Sequence, residues 1–133
     1  MPPSKNNPSG DFPVFPILRG ESVGEAGEFS GFVVLVLKPE DMNKELKSDS
    51  IAILHHDLEQ HFVKNPGDLD LLMSNVSAVL AEFGDSVSEF AAAAYHREAI
   101  AIVKVSDACH VLEEGMHIRI FAHENNGDVF FID

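Results

Sequence analysis

Four apolar runs, separated by more polar stretches, constrain the fold of this chain more than any other feature of its sequence. Val, Ile, Leu and Ala dominate these runs, which lie at Phe32–Leu37, Ile51–Leu54, Val76–Leu80 and Ile100–Val105. A strand that is exposed on one face alternates apolar and polar residues, whereas a strand covered on both faces is apolar throughout. The four runs therefore predict buried strands.

Helical patterns occupy the intervals between these runs. Pro39 suits a first helical turn and leads into Glu40–Leu46, and Asp57–Val63 predicts a short helix that ends near Pro66. Ser88–Arg97 predicts an alanine-rich helix. Because strands and helices alternate along the chain, the sequence indicates an α/β core.

The two ends of the chain differ from this middle part. Five of the seven prolines fall within residues 1–16, which predicts a mobile arm over residues 1–18 and one domain over residues 19–133. Near the other end, Met116–His123 alternates apolar and polar residues, Glu124–Gly127 has turn composition and Val129–Ile132 is apolar again. This pattern predicts a C-terminal β-hairpin.

Charge and cysteine content narrow the classes of partner. The chain has 22 acidic and 9 basic residues and a formal net charge of −13, so we expect neither a nucleic acid nor a membrane as partner. No apolar run approaches the roughly 18 residues that cross a bilayer. The single cysteine, Cys109, fits a reducing compartment, and we expect a cytoplasmic protein.

The stretch from the turn at Gly84 to the strand ending at Val105 is the most informative segment for function. It resembles the phosphohistidine swivelling domain of phosphoenolpyruvate-utilising enzymes, with the pattern Gly-Gly-x-Thr-Ser-His-Ala-Ala, a helix, and Gly-Ile-Pro-Ala-Val-Val-Gly-Val. Gly84 aligns with the first Gly, Ser88 with the Ser and Ala101–Val103 with Ala-Val-Val, without a gap.

The similarity extends towards the C-terminus. Ala108–Gly115 has the spacing of the family's Ala-Thr-x-x-Leu-x-x-Gly, with Cys109 in place of the Thr. The resemblance covers about residues 20–133. It implies an α/β fold, a single swivelling β/β/α domain with a C-terminal β-hairpin, so that residues 19–133 form a phosphohistidine-swivelling-like domain.

The chain departs from the family at the residues that carry phosphate. In the family a His at the start of a helix accepts the phosphoryl group, which the free N–H groups and dipole of the helix stabilise. Glu89 takes the place of this His, Asp85 replaces the second Gly, and Tyr95 stands where an Arg is usual. The resemblance therefore implies a scaffold that no longer transfers phosphate.

The resemblance places a binding site at Gly84, Asp85, Ser86, Ser88 and Glu89, with no catalytic residue, metal or cofactor. Three interpretations of Glu89 are open. It caps the helix together with Ser86, which is worth about 1 kcal/mol, it supplies a permanent negative charge like that of the phosphorylated state, or it accepts phosphate as an acyl phosphate. The last is the least favoured, because Asp85 would repel an incoming phosphoryl donor.

We expect a stand-alone, non-phosphorylatable relative of the mobile domain that acts as a binding or regulatory subunit and is not an enzyme on its own. The expected partner is a separate nucleotide-binding or phosphoenolpyruvate-binding protein. Two alternatives are a phosphoryl-carrier subunit of a split transferase, similar to phosphoenolpyruvate synthase or pyruvate phosphate dikinase, and a small-molecule sensor. The sequence leaves the oligomeric state open.

Histidine and cysteine side chains suggest other chemistry, which we weigh against simpler roles. His55–His61 contains three histidines, but adjacent His55 and His56 point in different directions if the chain is extended, so we expect a solvated helix start and not a metal site. His96 is expected at the surface. Cys109 has no close cationic neighbour in sequence and is expected to be a packed thiol, not a nucleophile.

Overall fold

The computed structural model describes residues 15–84, 92, 94 and 96–132. Its strands are β1 (Leu18–Ser22), β2 (Gly27–Val36), β3 (Ser50–Leu54), β4 (Ala78–Ala81), β5 (Ile100–Val103), β6 (His117–His123) and β7 (Asn126–Phe131). Its α-helices with defined bounds are α1 (Glu59–Lys64), α2 (Pro66–Asn75) and α3 (Ala108–Val111). Two 3₁₀ helices cover Pro39–Asn43 and His56–Leu58.

Three of the seven strand pairings in the described part of the chain are parallel. β2 pairs with β3, β3 with β4 and β4 with β5, all in the parallel sense. Parallel neighbours need crossover connections, and α1 and α2 provide the one between β3 and β4. As a result, all four strands end at the same edge of the sheet, which we call the carboxyl edge.

Antiparallel strands complete the sheet and close it. The strand order is β1-β5-β4-β3-β2-β6-β7, and β1 pairs with both β5 and β7, which gives a closed barrel. The seam is tight at two paired glycines, Gly20 and Gly127. A Cβ on Gly20 would lie 2.4 Å from the Val103 carbonyl oxygen, and one on Gly127 would lie 2.6 Å from the Ile102 side chain. Only glycine lets the seam approach β5 this closely.

The prediction of an α/β swivelling β/β/α domain is therefore wrong. The structure is a closed seven-stranded barrel, mostly sheet, in which the helices with defined bounds span 4 to 10 residues. The apolar runs indicated the buried strands correctly, but they gave no information on how the sheet ends. The antiparallel strands β1, β6 and β7 decide this, because they cover the edges that an open sheet would leave.

Two apolar clusters explain why the parallel strands are apolar throughout. Ile51 and Ile53 of β3 belong to an interior cluster that also takes residues from β2 and from β4 to β7. Ala52 and Leu54, which point the other way, pack in a second cluster that includes α1 and α2. Each strand is thus covered by the barrel interior on one face and by helices on the other, as the continuous runs predict.

The remaining elements agree with the sequence to different degrees. The C-terminal hairpin is confirmed, since β6 and β7 pair in register from Ile118↔Phe131 to His123↔Asn126. The region of the helix predicted at Glu40–Leu46 forms a short 3₁₀ helix instead. The short helix predicted at Asp57–Val63 is confirmed: it forms as the 3₁₀ helix His56–Leu58 and α1, which ends at Lys64. Pro66 then lies in the first turn of α2, where the N–H that proline lacks would have no partner within the helix.

Within the predicted alanine-rich helix, the described residues Ala92, Ala94 and His96 are helical. Ala94 is fully buried and belongs to the cluster beneath the helices, whereas His96 is exposed, as expected. Most of the predicted arm lies outside the described residues. In the described part of the chain, no helix has the length and apolarity that crossing a membrane requires.

The interior cluster should dominate the stability of the fold. Leu80 has no exposed surface and Leu71 is 63% exposed, so the same truncation can be compared at both sites. We expect Leu80→Ala to lower the free energy of unfolding by about 2–5 kcal/mol, because a cavity remains inside the barrel. Leu71→Ala should change it by less than about 0.5 kcal/mol. Urea denaturation measures both, and equal losses would contradict the assignment of the core.

Candidate functional site

Polar side chains gather at the carboxyl edge of the parallel strands. His55 directly follows β3, Glu82 directly follows β4, and Asp107 and Cys109 come soon after β5. Together with Leu37, His56 and His110, these residues line an open cavity of about 600 Å³. We call His55, His56, Asp57, Glu82 and Cys109 the strand-end cluster.

Glu82 organises this cluster. Its Oε1 accepts the N–H of His56 at 3.0 Å and lies 2.8 Å from Nδ1 of the same residue, while its Oε2 accepts the N–H of Cys109 at 2.8 Å. The side chain is only 6% exposed. Desolvation by burial acts to raise the pKa of Glu82, but the hydrogen bonds from Cys109 and His56 outweigh it and the pKa is lowered. Glu82 is thus a buried carboxylate at neutral pH.

The imidazole of His56 is oriented by Glu82. A carboxylate only accepts hydrogen bonds, so Nδ1 of His56 carries the proton and Nε2 is the nitrogen with the free electron pair when the ring is neutral. Nε2 lies 3.4 Å from Oδ1 of Asp57. The hydrogen bond to Glu82 raises the pKa of His56, and the nearby carboxylates of Asp57 and Asp107 act in the same direction.

His55 faces the same point as His56. Its Nδ1 accepts the N–H of Asp57 at 3.0 Å and lies 3.6 Å from Oδ2 of that residue. The rings of His55 and His56 are stacked with their centroids 4.1 Å apart. The expectation that these two side chains point apart is wrong, because the chain does not stay extended after β3 but turns into a 3₁₀ helix.

Cys109 is held by the same carboxylate. Burial, together with the negative charge of Glu82, raises the pKa of the Cys109 thiol to about 12. Its Sγ lies 3.8 Å from the Ile53 carbonyl oxygen, to which it donates. A thiol with this pKa stays protonated at neutral pH, which agrees with the expected packed thiol and leaves no thiolate nucleophile here.

Gly84 is the one described residue of the site predicted from the family resemblance. It follows Glu82 by two positions, and the Phe83 carbonyl oxygen accepts the N–H of Lys104, so the chain leaves β4 alongside the end of β5. Asp85, Ser86, Ser88 and Glu89 lie outside the described residues. Their roles stay predictions, but the segment that contains them starts at the carboxyl edge.

Sequence reasoning missed Glu82 as a functional residue and dismissed the pair of histidines. A usable signal was present, since an ionisable residue stands at the end of each of two apolar runs: His55 directly follows Leu54, and Glu82 follows Leu80 after one alanine. Residues at the carboxyl ends of neighbouring parallel strands lie close together in space. No such signal in the sequence pointed to Cys109.

A second cavity is lined by fewer ionisable side chains. It has a volume of about 150 Å³ and lies between the 3₁₀ helix Pro39–Asn43 and α2. Its lining is largely apolar, and its one carboxylate, Asp68, is 2.8 Å from Nε2 of His61. The carboxyl edge is therefore the better candidate for a functional site.

Comparisons with known proteins yield a fold and no family. No protein-family model and no curated protein matches the chain. Among solved structures, aconitase X from Thermococcus kodakaraensis in its holo-form matches with a TM-score of 0.53 and 14% identity, over 85% of this chain and 97% of that chain. A UPF0107 protein solved by NMR matches with a TM-score of 0.57 and 12% identity, over 86% of this chain and 97% of that one.

A third structure is larger than this chain. The microcin C7 self-immunity protein MccF, in an inactive mutant apo state, matches with a TM-score of 0.55 and 12% identity, over 98% of this chain but 47% of its own. These likenesses concern the fold alone. They place the barrel among aconitase X-like folds and lend no support to a phosphoenolpyruvate-utilising mobile domain.

The protonated state of Cys109 can be tested by alkylation, because the chain has one cysteine. At pH 8 we expect iodoacetamide to react at least about 100-fold more slowly with the folded chain than with the urea-unfolded chain, since a thiol pKa near 12 leaves very little thiolate. Glu82→Gln should accelerate the reaction of the folded chain, because it removes a negative charge that helps to raise the pKa of Cys109. Folded and unfolded rates within tenfold of each other would contradict this environment for the thiol.

The pair of Glu82 and His56 predicts a pH window for stability. The pKa of Glu82 is lowered from 4.5 in the folded chain, so its contribution is present above that pH and is lost as the pH falls through its folded pKa. The pKa of His56 is raised from 6.5, so its contribution is complete below that pH and is lost as the pH rises through its folded pKa.

The stability difference between the wild-type chain and Glu82→Gln should accordingly be largest between about pH 4.5 and 6.5. Urea denaturation from pH 3 to 9 measures it. Glu124→Gln, in the hairpin turn at the opposite end of the barrel, is a matched control and should give no such maximum. A difference for Glu82→Gln that grew steadily above pH 7 would contradict the pairing.

Proposed function

We propose that this chain is a binding or regulatory subunit that presents its carboxyl edge to a partner protein and is not an enzyme on its own. The observation that carries the proposal is the state of the strand-end cluster. The Glu82 carboxylate is already engaged in three hydrogen-bonding contacts and the Cys109 thiol is protonated, so neither of these two groups is available as a nucleophile at neutral pH.

The shape of the edge favours recognition as well. The cavity is open, and its rim includes the exposed side chains of Asp107 and His110. Rigid polar groups at the end of a well-packed barrel suit the binding of a partner, because the strands fix their positions before binding. Gly84 starts the segment in which the family resemblance predicts further binding residues, and this segment begins at the same edge.

The size of the barrel also supports the proposed role as a subunit. The matched aconitase X chain is covered to 97%, so a barrel of this size constitutes nearly a whole chain in that structure. A separate nucleotide-binding or phosphoenolpyruvate-binding protein is the partner that the sequence resemblance favours. The single cysteine supports a cytoplasmic location.

Site-specific photo-cross-linking in native extract tests the proposal. A benzophenone amino acid at His110 should capture one defined partner, because this residue lines the cavity at the carboxyl edge. The same substitution at His123, an exposed histidine at the end of β6 next to the hairpin turn, is the matched control and should not capture that partner. Equal capture from both positions, or capture from His123 alone, would contradict docking through the carboxyl edge.

The same experiment tests whether Glu89 contributes to partner binding. Glu89→Ala in the His110 cross-linking background should reduce capture if the residue contacts the partner. Unchanged capture would remove Glu89 from the binding surface and leave the strand-end cluster as its centre.

A further inference from the structure

We infer that His55, His56 and Asp57 form a binding site for a divalent transition-metal ion of the zinc class, with Glu82 as the residue that positions His56. This inference does not depend on the proposed docking, because it concerns side chains that already converge within one chain.

The three side chains offer ligand atoms at suitable separations. One nitrogen or oxygen atom from each lies within 4.8 Å of the others. Nε2 of His56 is 3.4 Å from one Asp57 carboxylate oxygen, and Nδ1 of His55 is 3.6 Å from the other. Ligands that bind a tetrahedral ion at about 2.0–2.2 Å lie about 3.4 Å apart. The two nitrogens are this close to different oxygens of Asp57, and the set with one atom from each residue lies within 4.8 Å, so the side chains must move closer together to bind one ion.

Glu82 supplies the support that a metal-binding histidine requires. Histidine ligands usually donate their second ring N–H to a carboxylate, which fixes the tautomer and the ring orientation. Nδ1 of His56 lies 2.8 Å from the Glu82 carboxylate, so when the ring is neutral the free electron pair is on Nε2, which lies 3.4 Å from an Asp57 carboxylate oxygen. Glu82 is itself fixed by the N–H groups of His56 and Cys109, so the support is rigid.

The chemistry of the ligands selects the class of ion. Two imidazoles and one carboxylate suit zinc, cobalt or nickel, whereas calcium and magnesium prefer oxygen ligands alone. His56 and Asp57 are 65% and 76% exposed, so a bound ion keeps an open coordination position towards solvent. The net charge of −13 favours the approach of any cation.

One hydrogen bond opposes metal binding. Nδ1 of His55 accepts the N–H of Asp57 at 3.0 Å, which is a helix-capping contact that needs no metal. An ion that binds this nitrogen displaces the contact, and we therefore expect weaker binding than at a closed four-ligand structural site. Capping alone is the competing explanation of the cluster, and the two explanations predict different results with metal.

Calorimetric titration of the full chain with Zn²⁺ alone tests the inference. We expect one ion per chain and a loss of affinity of at least tenfold in His56→Ala and in Asp57→Asn, since each removes one of three ligands. His123→Ala is the matched control: the His123 ring packs edge-on against Phe121 at the hairpin end of β6, and this variant should bind zinc as the wild-type chain does. Absence of zinc binding by the wild-type chain, or equal losses in His56→Ala and His123→Ala, would overturn the site.

The positioning role of Glu82 has its own measurement. Glu82→Gln should weaken zinc binding by about 10–100-fold. Nitrogen NMR of His56 should show the Nδ1–H tautomer in the wild-type chain, a mixture of tautomers in Glu82→Gln, and a shift at Nε2 when zinc binds. Unchanged tautomers in a folded Glu82→Gln chain would overturn this role. If that variant does not fold by circular dichroism, the wild-type NMR spectrum with and without zinc decides the same point.

Discussion

The pairing of β1 with both β5 and β7 is the constraint on which the structure depends. β1 has five residues. It pairs with β5, which belongs to the parallel part of the sheet, and with β7, which belongs to the antiparallel part. Without it, β5 and β7 would each present an unpaired edge, and the barrel interior would open to water. The close approach at Gly20 and Gly127 shows how little space this seam has. The positions of the side chains in the strand-end cluster depend on this closed barrel, because it fixes where the parallel strands end.

Glu82 is the second organising element, and it acts through a different balance of energies. Burial of a charged carboxylate is costly unless hydrogen bonds compensate it. Here two backbone N–H groups and the His56 ring provide that compensation, and all three come from residues outside β4. Burial, together with the same carboxylate, raises the pKa of Cys109 and suppresses its ionisation, and the carboxylate favours the charged form of His56. Burial and the Glu82 charge thus keep the Cys109 thiol protonated, and the same charge orients the His56 ring.

The predictions for the histidine pair and for Cys109 had different outcomes, for different physical reasons. The histidine pair was judged by the direction of side chains on an extended chain, and this failed because Leu54 ends the strand and a 3₁₀ turn follows at once. The prediction for Cys109 succeeded because a thiol without a cationic neighbour has no local means of ionising. The family resemblance directed attention to Gly84 and the segment behind it. It could not reveal Glu82, which stands two residues earlier and has no counterpart in the motif.

The sequence by itself determined the four buried strands and the C-terminal hairpin, because these depend on patterns within a few residues: continuous apolar character, alternation and turn composition. Only the tertiary structure decided that the sheet closes and that the strand ends form a cluster. Closure depends on β1 meeting strands that lie roughly 80 to 110 positions further along the chain. The cluster depends on contacts between Glu82 and residues 26 and 27 positions away, in opposite directions along the chain. Local patterns do not encode such distant pairings, since the same apolar run is compatible with an open sheet or a closed barrel.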